Sequence, residues 1–221
     1  MNITHAVSEE VVGDKLVAIF NRQKELMDKY HDIESRSGLM QTESCPVNLD
    51  GKAGQARIKD FSWRITEEVG EALDALYGDN DLEHFREELV DGLHFLTELT
   101  ILSGFDAKDV AEMVLKGKEC VGDYLDSICL YCEYIYSHEN DLPWNITTLT
   151  RRLGMMCNTL KNKPWKQSHM KTDKEVFKER LGGVWEVYIH ILNDALESSD
   201  SIADIYLKKS QVNKFRQRSN Y

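Results

Sequence analysis

Residues 58–103 decide the fold and read IKDFSWRITEEVGEALDALYGDNDLEHFREELVDGLHFLTELTILS. On either side of the Gly-Asp-Asn-Asp break at 78–81, apolar residues recur three and four positions apart, which is the period of an amphipathic helix. The stretch therefore predicts two helices, 58–77 and 82–103, with Asp81 or Asn80 as the N-cap of the second. Together they form a helical hairpin, called here the first hairpin (about 58–104).

Helical periodicity continues along the chain, and no alternating β pattern of useful length occurs. The further predicted helices cover about 8–35, 107–137, 146–161, 174–198 and a last segment from 201 onwards. Ser8 is expected to cap the first of these helices. Residues 37–54 contain Gly, Ser, Pro and Asn without a period and predict a loop. We expect one all-α helical bundle over residues 1–221.

A second helical hairpin, at about 146–198, resembles the first. Residues 177–181 (FKERL) match residues 85–89 (FREEL), and Leu160 matches Leu76. We interpret the two hairpins as a degenerate duplication, with coincidence between two amphipathic hairpins as the alternative. The acids of the first copy are lost in the second. Glu68, Glu71, Glu88 and Asp91 correspond to Arg152, Met155, Arg180 and Gly183.

Two acidic pairs, Glu68-x-x-Glu71 and Glu88-x-x-Asp91, are the strongest chemical signal in the sequence. Residues three apart lie on one face of a helix, and both pairs fall on the same flank of the apolar stripe of their helix. Antiparallel packing can therefore bring the four carboxylates together. Because such a cluster repels itself unless cations neutralise it, and oxygen ligands suit Mg²⁺ or Mn²⁺, the pattern predicts a divalent-metal site. Ordinary solvated acids are the alternative.

Three neighbouring residues bear on this prediction. Glu67 and Glu87 fall almost opposite the apolar stripes and are expected in solvent. His94 follows Asp91 by three residues, which suggests a di-iron bundle as an alternative. Because His94 points away from the phase of Glu88, we expect a neutral histidine that packs in the core.

The composition limits the other function classes. The chain has 221 residues, with 27 Lys and Arg against 38 Asp and Glu and a net charge of −11, which argues against a duplex-binding protein. No apolar run approaches the ~20 residues of a membrane helix, and the N-terminus lacks the pattern of a secretory signal. The five cysteines are expected to be reduced thiols of a cytoplasmic protein. We expect neither a nucleic-acid polymer nor a membrane as a partner.

The C-terminal segment 206–221 is a local positive patch, with five basic residues and no acid. Lys209, Asn213 and Arg216 are spaced four and three apart, so they share one helix face. Lysine and arginine suit phosphate oxygens, and a basic tail that balances the helix dipole is the alternative. Together with the acidic pairs, the segment predicts a substrate that combines metal ions with a polyphosphate.

These motifs resemble a known family. Glu68-Val-Gly-Glu71 followed by Glu88-Leu-Val-Asp91 is similar to the ExxE…ExxD signature of the all-α nucleoside triphosphate pyrophosphohydrolases, the MazG-like superfamily. Within it, the chain resembles the dimeric dUTPases and the related phage dCTPase/dUTPase enzymes. The segments that carry the closer resemblance are 20–26 (FNRQKEL), 61–64 (FSWR), 91–95 (DGLHF) and 209–221 (KSQVNKFRQRSNY).

The resemblance implies Mg²⁺-dependent hydrolysis of a deoxynucleoside triphosphate, in the first place dUTP, to the monophosphate and pyrophosphate. It implies two or more Mg²⁺ ions, with Mn²⁺ as a possible substitute. Met27 stands where the uracil enzymes usually have Asn, so dCTP or a modified pyrimidine nucleotide is the alternative substrate. Glu68 would orient or deprotonate the attacking water. The implied metal ligands are Glu68, Glu71, Glu88 and Asp91. The implied phosphate-binding residues are Lys209, Asn213, Arg216 and Tyr221. The implied base-binding residues are Gln23 and Trp63, and the alternative for Trp63 is an ordinary position in the hydrophobic core.

The resemblance also implies a homodimer, located in the host cytoplasm if the protein is encoded by a phage. The predicted helix 107–137 supports a dimer independently, because its apolar residues spread over more than one face. A non-enzymatic helical interaction protein is the alternative from another class.

Overall fold

The computed structural model describes residues 3–37, 45–136, 141–163 and 165–218, the side chains of Thr4 and residues 31–37 excepted. These residues form eight α-helices and no strand, which confirms the all-α prediction. The helices are α1 (Lys15–Ser37), α2 (Lys52–Asp74), α3 (Leu82–Leu102), α4 (Ala107–Leu115), α5 (Tyr124–Tyr136), α6 (Leu142–Thr159), α7 (Lys174–Leu196) and α8 (Ser199–Arg218). A 3₁₀ turn, Ile3–His5, precedes α1, and a π-helical turn, Ala75–Asp79, follows α2. No described helix is long and apolar enough to cross a membrane.

The first hairpin consists of α2 and α3, joined by a tight turn. Asn80 has a left-handed backbone with φ of 55°. The side chain of Asp81 then accepts a hydrogen bond from the backbone N–H of His84 at 3.0 Å, which confirms Asp81 as the N-cap of α3. The buried residues between the two helices include Ile58, Ile65, Val69, Ala72, Phe85, Leu89, Leu93 and Leu96. This packing places the acidic flanks of both helices at the edge of the hairpin.

Helix α7 is the centre of the bundle. It contacts α3, α4, α5, α6 and α8, and residues 184–193 are all buried. A helix that is enclosed on every side forms the core of a domain rather than one of its surfaces. The first hairpin and the α6–α7 hairpin therefore share one hydrophobic core through α7.

The N-terminal part of the fold differs from the prediction. Helix α1 begins at Lys15, so the predicted cap at Ser8 is wrong. Asp14 is the capping residue instead, since its carboxylate accepts a hydrogen bond from the backbone N–H of Val17 at 3.0 Å. Helix α2 begins at Lys52, earlier than predicted. Of the predicted loop, residues 45–51 are not helical and 38–44 lie outside the described residues.

The predicted helix 107–137 is wrong, because two helices, α4 and α5, occupy this stretch. The chain leaves α4 through left-handed backbone at Lys116 (φ 52°) and Gly117 (φ 84°), a conformation in which a right-handed helix cannot continue. Ser137 lies outside the described residues. The apolar residues buried within the chain include Val110, Met113, Val114, Leu115, Leu125 and Ile128. Within the same stretch, Val121, Leu130 and Tyr134 stay exposed.

Helix α8 lies against α1 and α3 and carries the basic C-terminal segment to the acidic flank of the first hairpin. Arg22 of α1 donates to the hydroxyl of Ser210 at 2.8 Å. Lys214 pairs with Glu25, also on α1. These contacts hold α8 against α1, and α8 also contacts α3, the helix that carries Glu88 and Asp91.

Candidate active site

Three carboxylates meet on one flank of the first hairpin. Glu68 and Glu71 come from α2 and Glu88 comes from α3, and one oxygen of each lies within 4.8 Å of those of the other two. Glu88 is buried, Glu68 half-buried and Glu71 exposed. The cluster therefore extends from the groove between the helices out to solvent, where a bound cation and its substrate could be reached.

The protonation of Glu68 shows how crowded this cluster is. The pKa of Glu68 is raised to about 8, mainly by burial and then by a hydrogen bond with Glu88 and repulsion from Asp91, Glu88 and Glu71. Without a cation, Glu68 therefore holds a proton at neutral pH. On the other side of Glu88, Nε2 of His84 lies 2.7 Å from Oε1. The cluster has the charge and the oxygen donors that a divalent cation requires.

The fourth acid, Asp91, is held by a lysine of α8. Nζ of Lys209 lies 2.7 Å from Oδ2 of Asp91 and 3.4 Å from Oε2 of Glu87, and Lys209 is only 6% exposed. Burial raises the pKa of Asp91 to about 6, although Lys209 opposes the shift. Burial alone would lower the pKa of Lys209, but Asp91 and Glu87 raise it above its ordinary value. Lys209 and Asp91 are therefore both charged at neutral pH and form an ion pair.

Glu87 and Glu67 differ in how well the sequence places them. Glu87 is half-buried beside Lys209, so its predicted position in solvent is wrong. Helical phase describes α3 alone and does not reveal that α8 covers this side of it. Glu67 is exposed, as predicted, and accepts a hydrogen bond from Nε1 of Trp63 at 2.8 Å. The Trp63 ring is 63% exposed, so the alternative of a core tryptophan is wrong.

Tyr188 of α7 packs directly behind the acids. Its hydroxyl donates to the backbone oxygen of Leu89 at 2.8 Å. A Cβ atom at position 92 would clash with that hydroxyl and would lie 3.5 Å from Cβ of Glu68. Gly92 is therefore the residue that allows the tyrosine to approach α3. This contact fixes the backbone of α3 between Glu88 and Asp91.

The predicted phosphate-binding residues lie along one face of α8. Lys209 is buried, Asn213 is half-buried and Arg216 is exposed, so the face leads from Asp91 out to solvent. Arg216 is close enough to Asp91 for its charge to lower the pKa of that carboxyl, against the larger effect of burial. Tyr221 lies outside the described residues.

Gln23, the predicted base-binding residue of α1, is buried in a polar network. Its Nε2 donates to Oε2 of Glu98 at 2.9 Å, and its Oε1 accepts from the hydroxyl of Tyr206 at 2.7 Å. Nδ1 of His94 lies 2.8 Å from the same Oε1. Burial lowers the pKa of His94 to about 3, so the ring is neutral. His94 is therefore a packed neutral histidine, as predicted.

With this geometry established, the chain can be compared with known proteins. The model of the dUTPase family matches residues 15–221, which runs from the start of α1 to the C-terminus. The chain belongs to the dUTPase family. Neither the comparison with curated proteins nor the comparison with solved structures found a match. The family assignment agrees with the all-α fold and with the segments of sequence that carry the resemblance.

In this dUTPase-family chain, the second hairpin has an ionic network where the first has its acids. Arg152 donates to the backbone oxygen of Gly183 at 2.9 Å, and the predicted duplication matches these two residues to Glu68 and Asp91. The same guanidinium lies 2.9 Å from Oε1 of the buried Glu186, whose other oxygen lies 2.7 Å from Nζ of Lys116. Two cations and one carboxylate lie at this place, and the positive charges disfavour a metal ion there.

Sequence reasoning missed several residues of the site. Glu98 follows His94 by one helical turn, and Tyr206 precedes Lys209 by nearly one turn, so helical spacing could have indicated both. Tyr188 has no such signal, because its contact with Leu89 joins two helices that are distant in the sequence.

Proposed function

We propose that this dUTPase-family protein hydrolyses dUTP to dUMP and pyrophosphate with the help of Mg²⁺. The reaction would remove dUTP from the nucleotide pool or supply dUMP. The observation that carries the proposal is the convergence of Glu68, Glu71 and Glu88 within 4.8 Å, next to the buried pair of Lys209 and Asp91. Acidic oxygens beside a phosphate-binding cation are what a metal–nucleotide substrate requires.

The acidic residues fit divalent metal ions. The donor set is made only of carboxylate oxygens, and its mutual repulsion is relieved by a bound cation. Glu68, Glu71, Glu88 and Asp91 would hold two or more Mg²⁺ ions, and Mn²⁺ could replace them. Bound there, the ions would neutralise charge on the phosphates and lower the pKa of a coordinated water.

We assign the catalytic role to Glu68. It is the central acid, since Glu71, Glu88 and Asp91 all act on its pKa. Its half-buried position places it between the interhelical groove and solvent, where an attacking water could be oriented or deprotonated.

The polyphosphate would lie along α8. Lys209 is held at the acidic cluster by Asp91, and Asn213 and Arg216 continue the same face towards solvent. An ammonium, an amide and a guanidinium can each donate to phosphate oxygens, and the guanidinium can do so with two parallel bonds. We propose the same role for Tyr221 from the family resemblance.

The base would lie between α1 and α2. Gln23 offers the amide of a buried network, and Trp63 offers an exposed aromatic ring on which a base could stack. Met27, one turn after Gln23, has no hydrogen-bond donor, which keeps dCTP and modified pyrimidine nucleotides as alternative substrates within the same chemistry.

We also propose a cytoplasmic homodimer in which the α6–α7 hairpin is the degenerate copy of the first. The contact of Arg152 with Gly183 supports the duplication, because the corresponding residues Glu68 and Asp91 are neighbours in the first hairpin. The exposed apolar residues of α5, Leu130 and Tyr134, are candidates for the dimer interface.

The di-iron alternative is not supported by the position of His94, which contacts Gln23 and stacks on Tyr206 with ring centroids 3.8 Å apart. His84, whose Nε2 lies 2.7 Å from Oε1 of Glu88, precedes that residue by four positions and so does not form the Glu-x-x-His pair of a di-iron bundle.

A panel of deoxynucleoside triphosphates with Mg²⁺, assayed for monophosphate and pyrophosphate, tests the proposal. We expect dUTP to be hydrolysed fastest and EDTA to stop the reaction. Fastest turnover of dCTP would select the alternative substrate. The absence of turnover with every nucleotide, together with thermal stability that does not respond to Mg²⁺ or Mn²⁺, would favour the helical interaction protein.

A further inference from the structure

The two acids that α3 contributes to the proposed metal site each have a basic residue against them. Nζ of Lys209 lies 2.7 Å from Oδ2 of Asp91, and Nε2 of His84 lies 2.7 Å from Oε1 of Glu88. The proposed function gives Lys209 a role towards the phosphates. It gives His84 none, although His84 directly contacts one of the proposed metal ligands.

The start of α3 determines where His84 lies. The carboxylate of Asp81, the N-cap, accepts a hydrogen bond from the backbone N–H of His84 at 3.0 Å. This contact orders His84 in the first turn of α3. Glu88 follows four residues later, so both side chains lie on the same face of the helix. The imidazole therefore reaches the carboxylate from a backbone position that the cap already fixes.

The two side chains of this contact differ in their exposure. The side chain of His84 is 49% exposed, whereas that of Glu88 is only 10% exposed. A buried carboxylate loses contacts with water, and a nitrogen donor within hydrogen-bond distance replaces one of them. A carboxylate that binds a cation is ionised and can only accept, so Nε2 of His84 is the donor of the pair.

A nitrogen donor at Oε1 limits how the carboxylate of Glu88 can turn. Rotation of the carboxylate would separate Oε1 from Nε2 of His84, so the contact favours one orientation. Oε2 then keeps both of its lone pairs for a cation. Partners of this kind orient the ligands of other metal sites, and the loss of one typically lowers metal affinity or activity about 10–100-fold. Glu88 is thus ordered by the fold and need not be ordered when the cation binds.

Two other interpretations of His84 lead to different expectations. One is direct ligation, but the described group whose ligand atoms converge comprises Glu68, Glu71 and Glu88 and does not include His84. The other is a surface pair without a function, because residues four apart often pair on exposed helix faces. Direct ligation requires the imidazole itself, a surface pair requires nothing, and a role through Glu88 requires only an N–H donor at this place.

We propose that His84 is a positioning residue that holds Glu88 in place for a divalent cation before the nucleotide binds. His84 acts through Glu88 and touches neither the cation nor the substrate. Its N–H group, and not the imidazole as such, is what the site uses. This inference rests on the proposed function, because it takes Glu88 to be a metal ligand.

The test is the dissociation constant of Mn²⁺ for the full chain without nucleotide, measured from the EPR signal of the free ion. We expect this constant to rise about 10–100-fold in His84→Ala. In His84→Gln the amide NH₂ group takes the place of the imidazole donor, so the constant should stay close to that of the wild type. The Mg²⁺ concentration for half-maximal dUTP hydrolysis should rise in His84→Ala in the same way, and excess Mg²⁺ should restore most of kcat.

Lys108→Gln is the matched control. Lys108 and Glu112 also form a pair with a spacing of four residues, but they lie on α4, which carries none of the proposed metal ligands. The loss of this pair should leave the Mn²⁺ affinity unchanged. His84→Ala places a good helix former at a half-exposed position, so we expect the variant to fold. Thermal unfolding of the metal-free proteins checks this.

The outcomes separate the two proposals. A wild type that neither binds Mn²⁺ nor hydrolyses any nucleotide with Mg²⁺ overturns the proposed function and this inference with it. A wild type that binds Mn²⁺ without hydrolysing a nucleotide overturns the proposed function, and the variants still decide the role of His84. An active wild type that binds no Mn²⁺ on its own overturns this inference alone. So does an unchanged Mn²⁺ affinity in His84→Ala, or a His84→Gln variant that binds Mn²⁺ as weakly as His84→Ala.

Discussion

Nζ of Lys209 lies 2.7 Å from Oδ2 of Asp91, and this lysine is almost completely buried. The pair joins the last helix of the chain to the helix that carries two of the four proposed metal ligands. One cation of the protein thus already lies at the edge of the acidic cluster. The two acids Glu68 and Asp91 therefore have different surroundings, and their variants should behave differently.

Glu68→Gln should abolish turnover and leave the fold intact. We expect kcat/KM for dUTP to fall by about 10²–10⁴-fold, the range that a general base contributes. The free energy of unfolding in metal-free buffer should hold or rise, because the change removes a crowded acid. Steady-state kinetics and chemical denaturation measure the two effects.

Glu67→Gln is the control for that variant, because Glu67 is exposed on the same helix. It should retain activity. Equal loss of activity in both variants, or full activity in Glu68→Gln, would show that Glu68 has no special role.

Asp91→Asn should also abolish turnover, but it should destabilise the protein. Lys209 would remain buried with only Glu87 as an acidic partner, at 3.4 Å. The loss of a charged partner from a buried pair costs about 1–3 kcal/mol. Urea denaturation in metal-free buffer measures this. Stability equal to that of the wild type would mean that the ion pair contributes nothing to the free energy of unfolding. The control is Glu83→Gln, which changes an exposed acid of the same helix.

The metal-free protein should lose stability as the pH rises from about 4.5 to about 8. Burial raises the pKa of Glu68 from 4.5 to about 8, with contributions from Glu88, Asp91 and Glu71. A carboxyl group with a raised pKa holds its proton more tightly in the folded state, so its stabilisation is full below the unfolded pKa and disappears above the folded one.

Denaturation midpoints measured across this pH range in EDTA, with and without excess Mg²⁺, test the effect. Glu68→Gln should flatten the dependence, and Mg²⁺ should raise the stability of the wild type most at the alkaline end. A wild-type profile that rises between pH 5 and 8 in EDTA would contradict the raised pKa.

The parts of this structure that could be predicted from sequence are those with local causes. The spacing of apolar residues in the first hairpin and the N-cap at Asp81 depend on residues close in the sequence. The same is true of the position of Glu68 and Glu88 beside the apolar stripes of their helices, which brings the two acids together. The predicted helix 107–137 fails at Lys116, because nothing in an amphipathic pattern shows where a lysine will adopt a left-handed backbone.

The remaining features depend on the docking of α8. Glu87 lies on the solvent side of α3 when that helix is considered alone, and only the position of Lys209 explains why it is half-buried. The contact between Gln23 and Glu98 likewise joins α1 to α3. Helical spacing can place Glu98 near His94 and Tyr206 near Lys209, but periodicity within one helix carries no information on the contacts that join these residues to Gln23 on α1.

Arg216→Gln should raise KM for dUTP about tenfold with little change in kcat. Arg216 is exposed at the outer end of the α8 face, so its loss should remove a charged hydrogen bond to phosphate without disturbing the core. A truncation after residue 207 is less informative, because it would remove the buried residues Lys209, Ser210 and Val212.

The chain offers a matched control for Arg216. Residues 142–172 also contain no acid, and they carry six lysines and arginines. Lys161→Gln removes a charge from this second basic stretch and should leave KM unchanged. An equal rise of KM in both variants would indicate a general effect of net charge. An unchanged KM in Arg216→Gln would indicate that the C-terminal segment is a basic tail without a role in phosphate binding.

The protein should be a dimer in solution, with α5 at the interface. Leu130 is 57% exposed and Tyr134 is 74% exposed, and they lie one turn apart on the same face of α5. Two such residues on one face are a candidate contact surface that the fold of a single chain leaves uncovered. Light scattering at micromolar concentration should give a mass of about 51 kDa, twice the 25.5 kDa of the chain.

Leu130→Glu should shift the mass towards the monomer, whereas Met170→Glu, at an exposed residue between α6 and α7, should not. A fully active particle of 25.5 kDa would rule out the dimer.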